Sequence, residues 1–355
     1  MKAVRWHGPK DVRLDEVAEP AAAPGEVVVE VAACGLCGSD LHEYLHGPVY
    51  IPKRPHPLTG VVPPVTLGHE FSGRVADVGR GVTRFRAGDR VTVNPCLVCG
   101  ECRWCRRGQP NHCAKLASIG LSRDGALAPY VLAPEYGCHA LPPEVSDEAG
   151  ATVEPLAVAV HAVRRARLVG GERVVVMGAG PIGLLVLQVL KAKGAGWVAM
   201  VEPRAERRRH AEALGADLVL DPGAGDPSQA IAEATGGDRA GVVFECVGSP
   251  AAFAGAFRAA GKMGRIVLVG LVPESVPLNA LLLLAHEKEL IGSSAYTDEF
   301  PEAIALLARG LVKTAPLITA RVPLARTRED GLEALLRKDD GHIKILVMSG
   351  MGGRS

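Results

Sequence analysis

The chain has 355 residues, of which 48% are apolar, enough for two domains with sizeable hydrophobic cores. Its 40 basic and 39 acidic side chains leave a formal net charge of +1, which provides no electrostatic footprint for nucleic acid or an anionic membrane. No stretch approaches the roughly 20 apolar residues of a membrane span, and the first residues lack an apolar signal core. We therefore expect a globular, cytoplasmic protein that works on small molecules.

Short alternating apolar runs in residues 2–31, and again at 71–79 and 88–93, are typical of strands joined by turns. Between the first and second of these runs, six prolines fall within residues 47–68, too many for a helix or a central strand. We expect an ordered loop there, close to the functional site.

A candidate metal site begins with the stretch from Cys37 to His42, which brings a thiol, a hydroxyl, a carboxylate and an imidazole into six residues. His69 adds a second imidazole, and Glu154 adds a carboxylate at the start of an apolar run. A catalytic zinc takes about three protein ligands and keeps one position open. Cys37, His69 and Glu154 supply that number. The alternative gives each an ordinary role, as a buried thiol, a hydrogen-bonded loop histidine and a charge at a helix N-terminus.

A cysteine-rich segment follows with the spacing C-x2-C-x2-C-x7-C, formed by Cys99, Cys102, Cys105 and Cys113. Four thiolates can surround one zinc ion tetrahedrally and close the site, which predicts a structural zinc. Ferredoxin-type iron–sulfur runs have a shorter last gap followed by proline, and here Ala114 follows the last cysteine. In one alternative, Cys96 replaces Cys113 as the fourth zinc ligand. In the other, the segment is a zinc module that binds nucleic acid, but the neutral charge balance argues against this interpretation.

A dinucleotide fingerprint lies further along the chain. Residues 151–167 predict a helix that Gly170-Gly171 ends, and the apolar run 173–177 suits a buried parallel strand. The segment from Gly178 to Gly183 then reads G-x-G-x-x-G and opens a helix through Lys193, the strand–turn–helix setting that this motif requires. We expect the cofactor pyrophosphate to contact its backbone at Gly178, Gly180, Pro181, Ile182 and Gly183.

The preferred dinucleotide depends on the residue that ends the next strand. Residues 197–201 form that strand, and Glu202 follows it, where a carboxylate binds the ribose hydroxyls and repels a 2′-phosphate. The sequence therefore favours NAD. We also assign Arg207 to cofactor binding, and together with Arg204 it leaves NADP open, since an arginine here can accommodate the extra phosphate.

The remaining elements complete a two-domain α/β chain. Four more strands, predicted at 217–220, 241–248, 265–270 and 289–292, extend the sheet to six strands in a doubly wound fold. Amphipathic helices are predicted at 300–311 and 328–336, and a closing strand at 342–347. The tail, 349–355, has no periodicity, and we expect it to be frayed.

Three motifs resemble the zinc-dependent medium-chain alcohol dehydrogenases, and the similarity runs nearly end to end. They are Gly35 to His42, Gly68-His69-Glu70, and the nine residues from Glu154 to Ala162. Within that family, residues 42–60 resemble the 2,3-butanediol dehydrogenases, with the sorbitol dehydrogenases as close relatives. The resemblance implies a GroES-like β-barrel catalytic domain at 1–155 with both zinc sites, a Rossmann NAD-binding domain at 156–292, and a return to the catalytic domain at 293–355.

The resemblance also implies roles around the catalytic zinc. Ser39 accepts the proton of the substrate hydroxyl, and His42 passes it toward solvent. Asp40 accepts a hydrogen bond from the ring of His69 and so orients it. Glu70 is an exchangeable zinc ligand that ranks below Glu154.

These features together predict an oxidoreductase with two zinc ions per subunit. The expected reaction is reversible hydride transfer between a secondary alcohol or vicinal diol and NAD, with 2,3-butanediol and acetoin as the favoured pair. A polyol dehydrogenase of the sorbitol type and a threonine dehydrogenase are the alternatives within the class. A non-enzymatic protein that binds zinc and a dinucleotide is the alternative outside it. The family implies a homo-oligomer, a dimer or a tetramer, and no nucleic-acid or membrane partner is expected.

Overall fold

The computed structural model describes residues 1–272, 275–337 and 341–349. It divides the chain into two compact units. The first contains Met1–Glu154, Ala303–Ala308 and the chain from Ile318 onward, and the second contains Pro155–Glu302 and Arg309–Leu317. Residues 293–302 and 309–317, which we expected in the returning segment, thus lie in the second unit. Of the predicted frayed tail, 350–355 lie outside the described residues.

The strands follow in chain order: β1 (Lys2–Gly8), β2 (Asp11–Glu16), β3 (Glu26–Gly35), β4 (Val65–Thr66), β5 (Glu70–Val78), β6 (Arg90–Val93), β7 (Cys96–Leu97), β8 (Ala117–Ser118), β9 (Tyr130–Pro134), β10 (Cys138–Ala140), β11 (Arg173–Met177), β12 (Trp197–Val201), β13 (Leu218–Leu220), β14 (Ala240–Glu245), β15 (Ala260–Leu268), β16 (Glu289–Gly292), β17 (Ile318–Pro323) and β18 (Lys344–Met348). The α-helices are α1 (Gly38–His46), α2 (Arg103–Arg106), α3 (Asp147–Ala151), α4 (Val153–Arg165), α5 (Pro181–Ala192), α6 (Ala205–Ala213), α7 (Pro227–Ala234), α8 (Pro250–Ala259), α9 (Ala280–Ala285), α10 (Phe300–Ala308) and α11 (Glu333–Leu336). In the described part of the chain, no helix is long and apolar enough to cross a membrane.

The first unit is built on a seven-stranded sheet with the order β10-β6-β5-β3-β18-β17, in which β9 also pairs with β3. Alternate residues of β3, such as Val27, Val29 and Val31, pack into one core with Phe71 of β5 because side chains along a strand alternate between its faces. A smaller sheet, β2-β1-β4, contributes Val4 and other side chains to the same core.

The second unit contains a six-stranded parallel sheet with the order β13-β12-β11-β14-β15-β16. All six strands that the sequence predicts here are confirmed, with ends that differ by a few residues. Val174, Val175 and Val176 of β11 are fully buried, as expected for a central parallel strand, which is covered on both faces. The strand order is that of a Rossmann domain, in which ligands bind beyond the carboxyl ends of the strands.

Three predicted helices differ from the structure. The helix expected over 151–167 is two helices, α3 and α4, separated at Thr152. The one expected to reach residue 311 ends at Ala308, shortly before Gly310, whose φ of 66° lies in the left-handed region. The helix expected at 328–336 is a π-helix over Thr327–Leu332 followed by the short α11.

Candidate metal centre and dinucleotide site

The pairing of two strands creates the candidate catalytic site in the first unit. Gly35, the last residue of β3, lies opposite Glu70, the first residue of β5. Cys37 follows β3 by two residues and His69 precedes β5, so both side chains emerge at the same edge of the sheet. Helix α1 then begins at Gly38, and the backbone N–H of Cys37 donates to Asp40 Oδ2 at 2.9 Å, which fixes the first turn.

Three potential metal ligands meet at this edge. One donor atom from each of Cys37, His69 and Glu70 lies within 4.8 Å of the other two. His69 and Glu70 are buried, and Ser39 Oγ lies 3.3 Å from His69 Nε2. Asp40 Oδ1 lies 3.6 Å from His69 Nδ1, on the side of the ring where we predicted it, but this distance is too long for a hydrogen bond.

The electrostatics of this cluster favour a bound cation. Burial lowers the pKa of His69, but the negative charges of Asp40 and Cys37 outweigh it and raise that pKa well above its usual value. Asp40 Oδ1 and His69 Nδ1 are both buried without a hydrogen-bond partner in the described structure. A thiol, an imidazole and carboxylates around an excess of negative charge form a donor set that suits zinc.

Glu154 lies at the start of α4 and is 8% exposed, but it does not belong to the three-residue group. Its negative charge nevertheless contributes to raising the pKa of both His69 and Lys344, after larger contributions from other groups. The structure thus brings Cys37 and His69 together with Glu70, and the role of Glu154 as a zinc ligand stays a prediction.

A buried lysine that the sequence analysis missed binds Glu70. Lys344 Nζ lies 2.9 Å from Glu70 Oε1 and 2.6 Å from Glu70 Oε2, and it also donates to the carbonyl of Leu36 at 2.9 Å. Burial lowers the pKa of Lys344, but the charges of Glu70 and Cys37 raise it overall. The signal in the sequence was a lysine within the apolar closing strand, since a lysine is almost never buried unless it is paired.

The two residues of the predicted proton relay both lie on α1. Ser39 is in the first turn beside His69, and His42 lies three residues further along the helix and is partly exposed. Residues three apart lie on the same helix face. Within the described residues no hydrogen bond joins Ser39 directly to His42, so the relay requires a bridging group and stays a prediction.

The four cysteines predicted to hold a structural zinc form one cluster. One sulfur atom from each of Cys99, Cys102, Cys105 and Cys113 lies within 4.8 Å of the others. The sulfurs of Cys102 and Cys105 are 3.6 Å apart, and those of Cys99 and Cys113 are 3.5 Å apart. These separations approach the roughly 3.8 Å expected between sulfurs in a tetrahedral site with Zn–S bonds of about 2.3 Å.

The backbone prepares this cluster to bind metal. Backbone N–H groups of Cys105 and Ala114 lower the pKa of Cys102 to about 6, so this residue is available as a thiolate, the form that binds zinc. Cys96 lies in strand β7 and is outside the four-sulfur group, which matches the register ending at Cys113.

Replacing Cys99 by serine is expected to remove the structural zinc and to lower the melting temperature, because a structural zinc contributes directly to folding. Bound metal measured by atomic emission should fall by one ion per chain. Cys96→Ser is the matched control and should retain the full zinc content. Equal losses from the two variants would show that the cluster includes Cys96.

The dinucleotide fingerprint has the geometry that close approach to a phosphate requires. Gly178, which directly follows β11, has φ of 95°, which favours glycine. A Cβ on Gly183 would lie 1.9 Å from the carbonyl oxygen of Gly178, so the turn leaves no room for a side chain there. Gly180 caps α5, and Pro181 and Ile182 in its first turn are partly exposed beside the free helix N-terminus.

Glu202 joins the fingerprint to the second strand of the sheet. Its carboxylate accepts the N–H of Ala179 at 2.8 Å and that of Arg204 at 3.0 Å. A guanidinium nitrogen of Arg207 lies 3.6 Å from the position of a Cβ on Gly180, and burial followed by the charge of Arg204 lowers the pKa of Arg207. An acidic and a basic side chain thus flank the turn, which fits the ribose and phosphate groups of a dinucleotide.

Glu245, a buried carboxyl at the carboxyl end of β14, was not predicted from the sequence. Its Oε1 accepts the N–H groups of Val247 and Gly248, both at 2.9 Å, and burial raises its pKa. Glu245 lies beside Met177, which immediately precedes the fingerprint. It therefore fixes the backbone that follows β14 at the ligand-binding edge of the sheet.

Comparison with known proteins identifies the family. The model of the alcohol dehydrogenase GroES-like domain matches residues 23–143, and the zinc-binding dehydrogenase model matches residues 181–309. The chain is 41% identical over 350 residues to the (R,R)-butanediol dehydrogenase of Bacillus subtilis (strain 168), covering 98% of this chain and 99% of that protein. The chain belongs to the zinc-binding alcohol dehydrogenases.

This alcohol dehydrogenase is also similar to family members that are named for other activities. It is 31% identical over 351 residues to a sorbitol dehydrogenase of Bacillus subtilis (strain 168), covering 98% of this chain and 97% of that one. The solved structure of 2R,3R-butanediol dehydrogenase from Bacillus subtilis superposes with a TM-score of 0.92 at 40% identity and coverages of 98% and 99%. A putative zinc-binding dehydrogenase from Sinorhizobium meliloti 1021, bound to NADP, has a TM-score of 0.90 at 34% identity, covering 98% of each chain.

The comparisons confirm several predictions from the sequence. The fold combines a GroES-like domain with a Rossmann domain, and the protein is an oxidoreductase of the alcohol dehydrogenase class. Zinc and a nicotinamide dinucleotide are its cofactors.

Proposed function

We propose that this dehydrogenase interconverts a secondary alcohol or vicinal diol with its ketone, using NAD, and that 2,3-butanediol and acetoin are the favoured pair. The proposal rests on the position of the Ser39 hydroxyl, which lies 3.3 Å from the His69 ring. His69 is buried among negative charges in the proposed zinc site. The 41% identity to a butanediol dehydrogenase over nearly the whole chain supports the substrate class. Similarity to a sorbitol dehydrogenase makes a polyol the second candidate.

Cys37, His69 and Glu154 are the proposed ligands of the catalytic zinc. Glu70 lies within reach of the first two, but both of its oxygens are bound by Lys344. A carboxylate that is already neutralised by an ammonium group is a weaker metal ligand than one without such a partner. Glu70 therefore remains the exchangeable ligand, and Glu154 supplies the permanent carboxylate.

Oxidation of the alcohol removes a hydride from carbon and a proton from oxygen. A zinc ion held by Cys37, His69 and Glu154 would supply Lewis-acid polarisation of the substrate oxygen, and a bound NAD would supply the hydride acceptor. Ser39 Oγ accepts the hydroxyl proton and gives up its own through a bridging group to His42, which releases one proton to solvent from the same face of α1. The carboxylate of Asp40 lies behind the His69 ring and stabilises its orientation.

Glu202 is proposed to select NAD over NADP, because a carboxylate at this position binds two ribose hydroxyls and repels a 2′-phosphate. Glu202→Ala should lower kcat/KM for NAD by about tenfold to a hundredfold, the equivalent of about 1.5–3 kcal/mol of charge-assisted hydrogen bonding, and should not lower it for NADP. Glu206→Ala, an exposed glutamate on α6, is the control. An unchanged ratio between the two cofactors would exclude this role.

A substrate panel tests the function. The butanediol stereoisomers, sorbitol, threonine and simple secondary alcohols are each assayed for NADH formation with zinc-replete enzyme, and again with NADP. The highest kcat/KM should belong to one butanediol isomer with NAD. A higher value for sorbitol or threonine would replace the proposed substrate. Silence across the panel would favour a protein that binds zinc and a dinucleotide without catalysis.

A homo-oligomer in the cytoplasm is the proposed state. In the second unit β16 is an edge strand, and Leu281 and Leu284 of the neighbouring α9 are 72% and 75% exposed. A second copy could extend the sheet and cover these leucines, since an exposed edge strand readily pairs with another chain. Light scattering should give a mass of two or four chains, and a single-chain mass would exclude the oligomer.

The cysteines bear on the proposed cytoplasmic location. All nine cysteines lie within the described residues and none forms a disulfide, which suits a reducing compartment.

A further inference from the structure

A buried carboxylate fixes the first part of the proline-rich loop onto the helix that carries the proton relay. Glu43 of α1 is 0% exposed, and it accepts N–H groups from three consecutive residues, Val49, Tyr50 and Ile51. The N–H of Val49 lies 3.0 Å from Oε2, and that of Ile51 lies 3.0 Å from Oε1. The backbone at residues 49–51 is therefore held in a defined position relative to α1.

The side chains of this segment point in different directions. Ile51 is 2% exposed and packs in the core of the first unit, whereas Tyr50 is 44% exposed. The Tyr50 hydroxyl forms no hydrogen bond with any residue in the described part of the chain, although its backbone is anchored. A tyrosine held by its backbone, with a free hydroxyl, is available to contact a ligand.

Tyr50 lies on the side of α1 that carries Ser39, because its backbone is bound by Glu43, which follows Ser39 by about one helix turn. Burial, followed by the negative charges of Cys37 and Glu43, raises the pKa of Tyr50, so the phenol is neutral under ordinary assay conditions. A neutral phenol can donate one hydrogen bond and accept another. Tyr50 thus supplies a hydrogen-bonding group on the helix face that carries Ser39, and the proposed reaction does not itself use this group.

We propose that the Tyr50 hydroxyl binds the second oxygen of the substrate, the one on the carbon next to the reacting carbon, and so determines the preference for vicinal diols. This inference rests on the proposed function. During oxidation of a diol, one oxygen gives its proton to Ser39, and the other keeps its own proton and needs a partner once it leaves water. This second oxygen does not participate in the redox step and remains a hydroxyl in the hydroxyketone product. A phenol can therefore bind it both in the diol and in the product.

Removing the Tyr50 hydroxyl should selectively lower the activity toward diols, because a monohydric alcohol has no second oxygen for this hydroxyl to bind. In Tyr50→Phe the ratio of kcat/KM for 2,3-butanediol to kcat/KM for 2-butanol should fall by about threefold to tenfold, the range for loss of one neutral hydrogen bond. Tyr136→Phe removes a phenol hydroxyl from another tyrosine of the first unit that is 56% exposed, and should leave the ratio unchanged. Zinc content should match that of the wild type in both variants, and the melting temperature should be unchanged in Tyr50→Phe, whose hydroxyl has no partner to lose in the described part of the chain.

The outcomes separate this inference from the proposed function. A wild type that oxidises butanediol, together with a Tyr50→Phe variant that keeps the wild-type ratio, would overturn the role of Tyr50 and leave the function standing. An equal fall for both alcohols would also overturn it, since that result indicates a general effect on the site. A wild type that is inert toward every diol but oxidises 2-butanol would refute the diol function and, with it, this inference.

Discussion

Replacing Glu154 by alanine is expected to lower turnover by roughly a thousandfold and to reduce the zinc content from two ions to one per chain. The proposed ligand set would lose one of its three members, and the Lewis acid supplies several kcal/mol of transition-state stabilisation, which corresponds to about three powers of ten in rate. Zinc measured on the purified, folded variant, together with its kcat, tests the prediction.

Two further variants make the test of Glu154 specific. Glu144→Ala, an exposed glutamate shortly before it, should retain both zinc ions and full turnover. Glu70→Gln should also retain the catalytic zinc, because Lys344 already binds that carboxylate. If Glu154→Ala kept two zinc ions while Glu70→Gln lost one, the permanent ligand would be Glu70, the carboxylate that lies within 4.8 Å of Cys37 and His69.

Replacing Lys344 by methionine is expected to destabilise the protein by about 3–5 kcal/mol, because it leaves the buried Glu70 carboxylate without a counter-ion. Lys344 is 4% exposed and Glu70 is 1% exposed, so solvent cannot compensate for the loss. Equilibrium unfolding in denaturant measures this change. Lys115→Met breaks an exposed pair with Glu101 and serves as the control, for which a loss below about 1 kcal/mol is expected.

The double variant Glu70→Gln/Lys344→Met separates the ion pair from the packing around it. It removes both charges, so it should recover much of the stability that the single lysine variant loses. If Lys344→Met alone changed the unfolding free energy by less than about 1 kcal/mol, the pair would not contribute as we propose.

The parts of the fold that were predictable have local signals. The strands of the parallel sheet are continuous apolar runs because both of their faces are buried, and the glycines after β11 mark the turn. The π-helix at Thr327–Leu332 was not predictable, because its periodicity resembles that of an α-helix. Gly331, within this π-helix, lies close to Leu36, since a Cβ on Gly331 would be 2.7 Å from the Leu36 side chain. The two residues are far apart in the sequence, so no local pattern indicates this contact.

The same distinction applies to the candidate sites. The cysteine cluster was predictable from spacing, because its sulfurs lie within one short segment. Cys37 and His69 are brought together by the pairing of β3 with β5. The sequence patterns predict both strands, but they do not specify which residues of the two strands lie opposite each other. The bond between Glu70 and Lys344 spans 274 residues and depends on the closing strand β18 entering the sheet beside β3, so no local pattern specifies it.

The most direct test of the account is NADH formation from the butanediol stereoisomers before and after removal of the exchangeable metal. Enzyme holding two zinc ions per chain should oxidise one stereoisomer rapidly with NAD. Chelation that removes one ion should abolish this activity without unfolding the protein, and added zinc should restore it. No activity toward any butanediol in zinc-replete enzyme, or undiminished activity after the exchangeable ion is gone, would contradict the account.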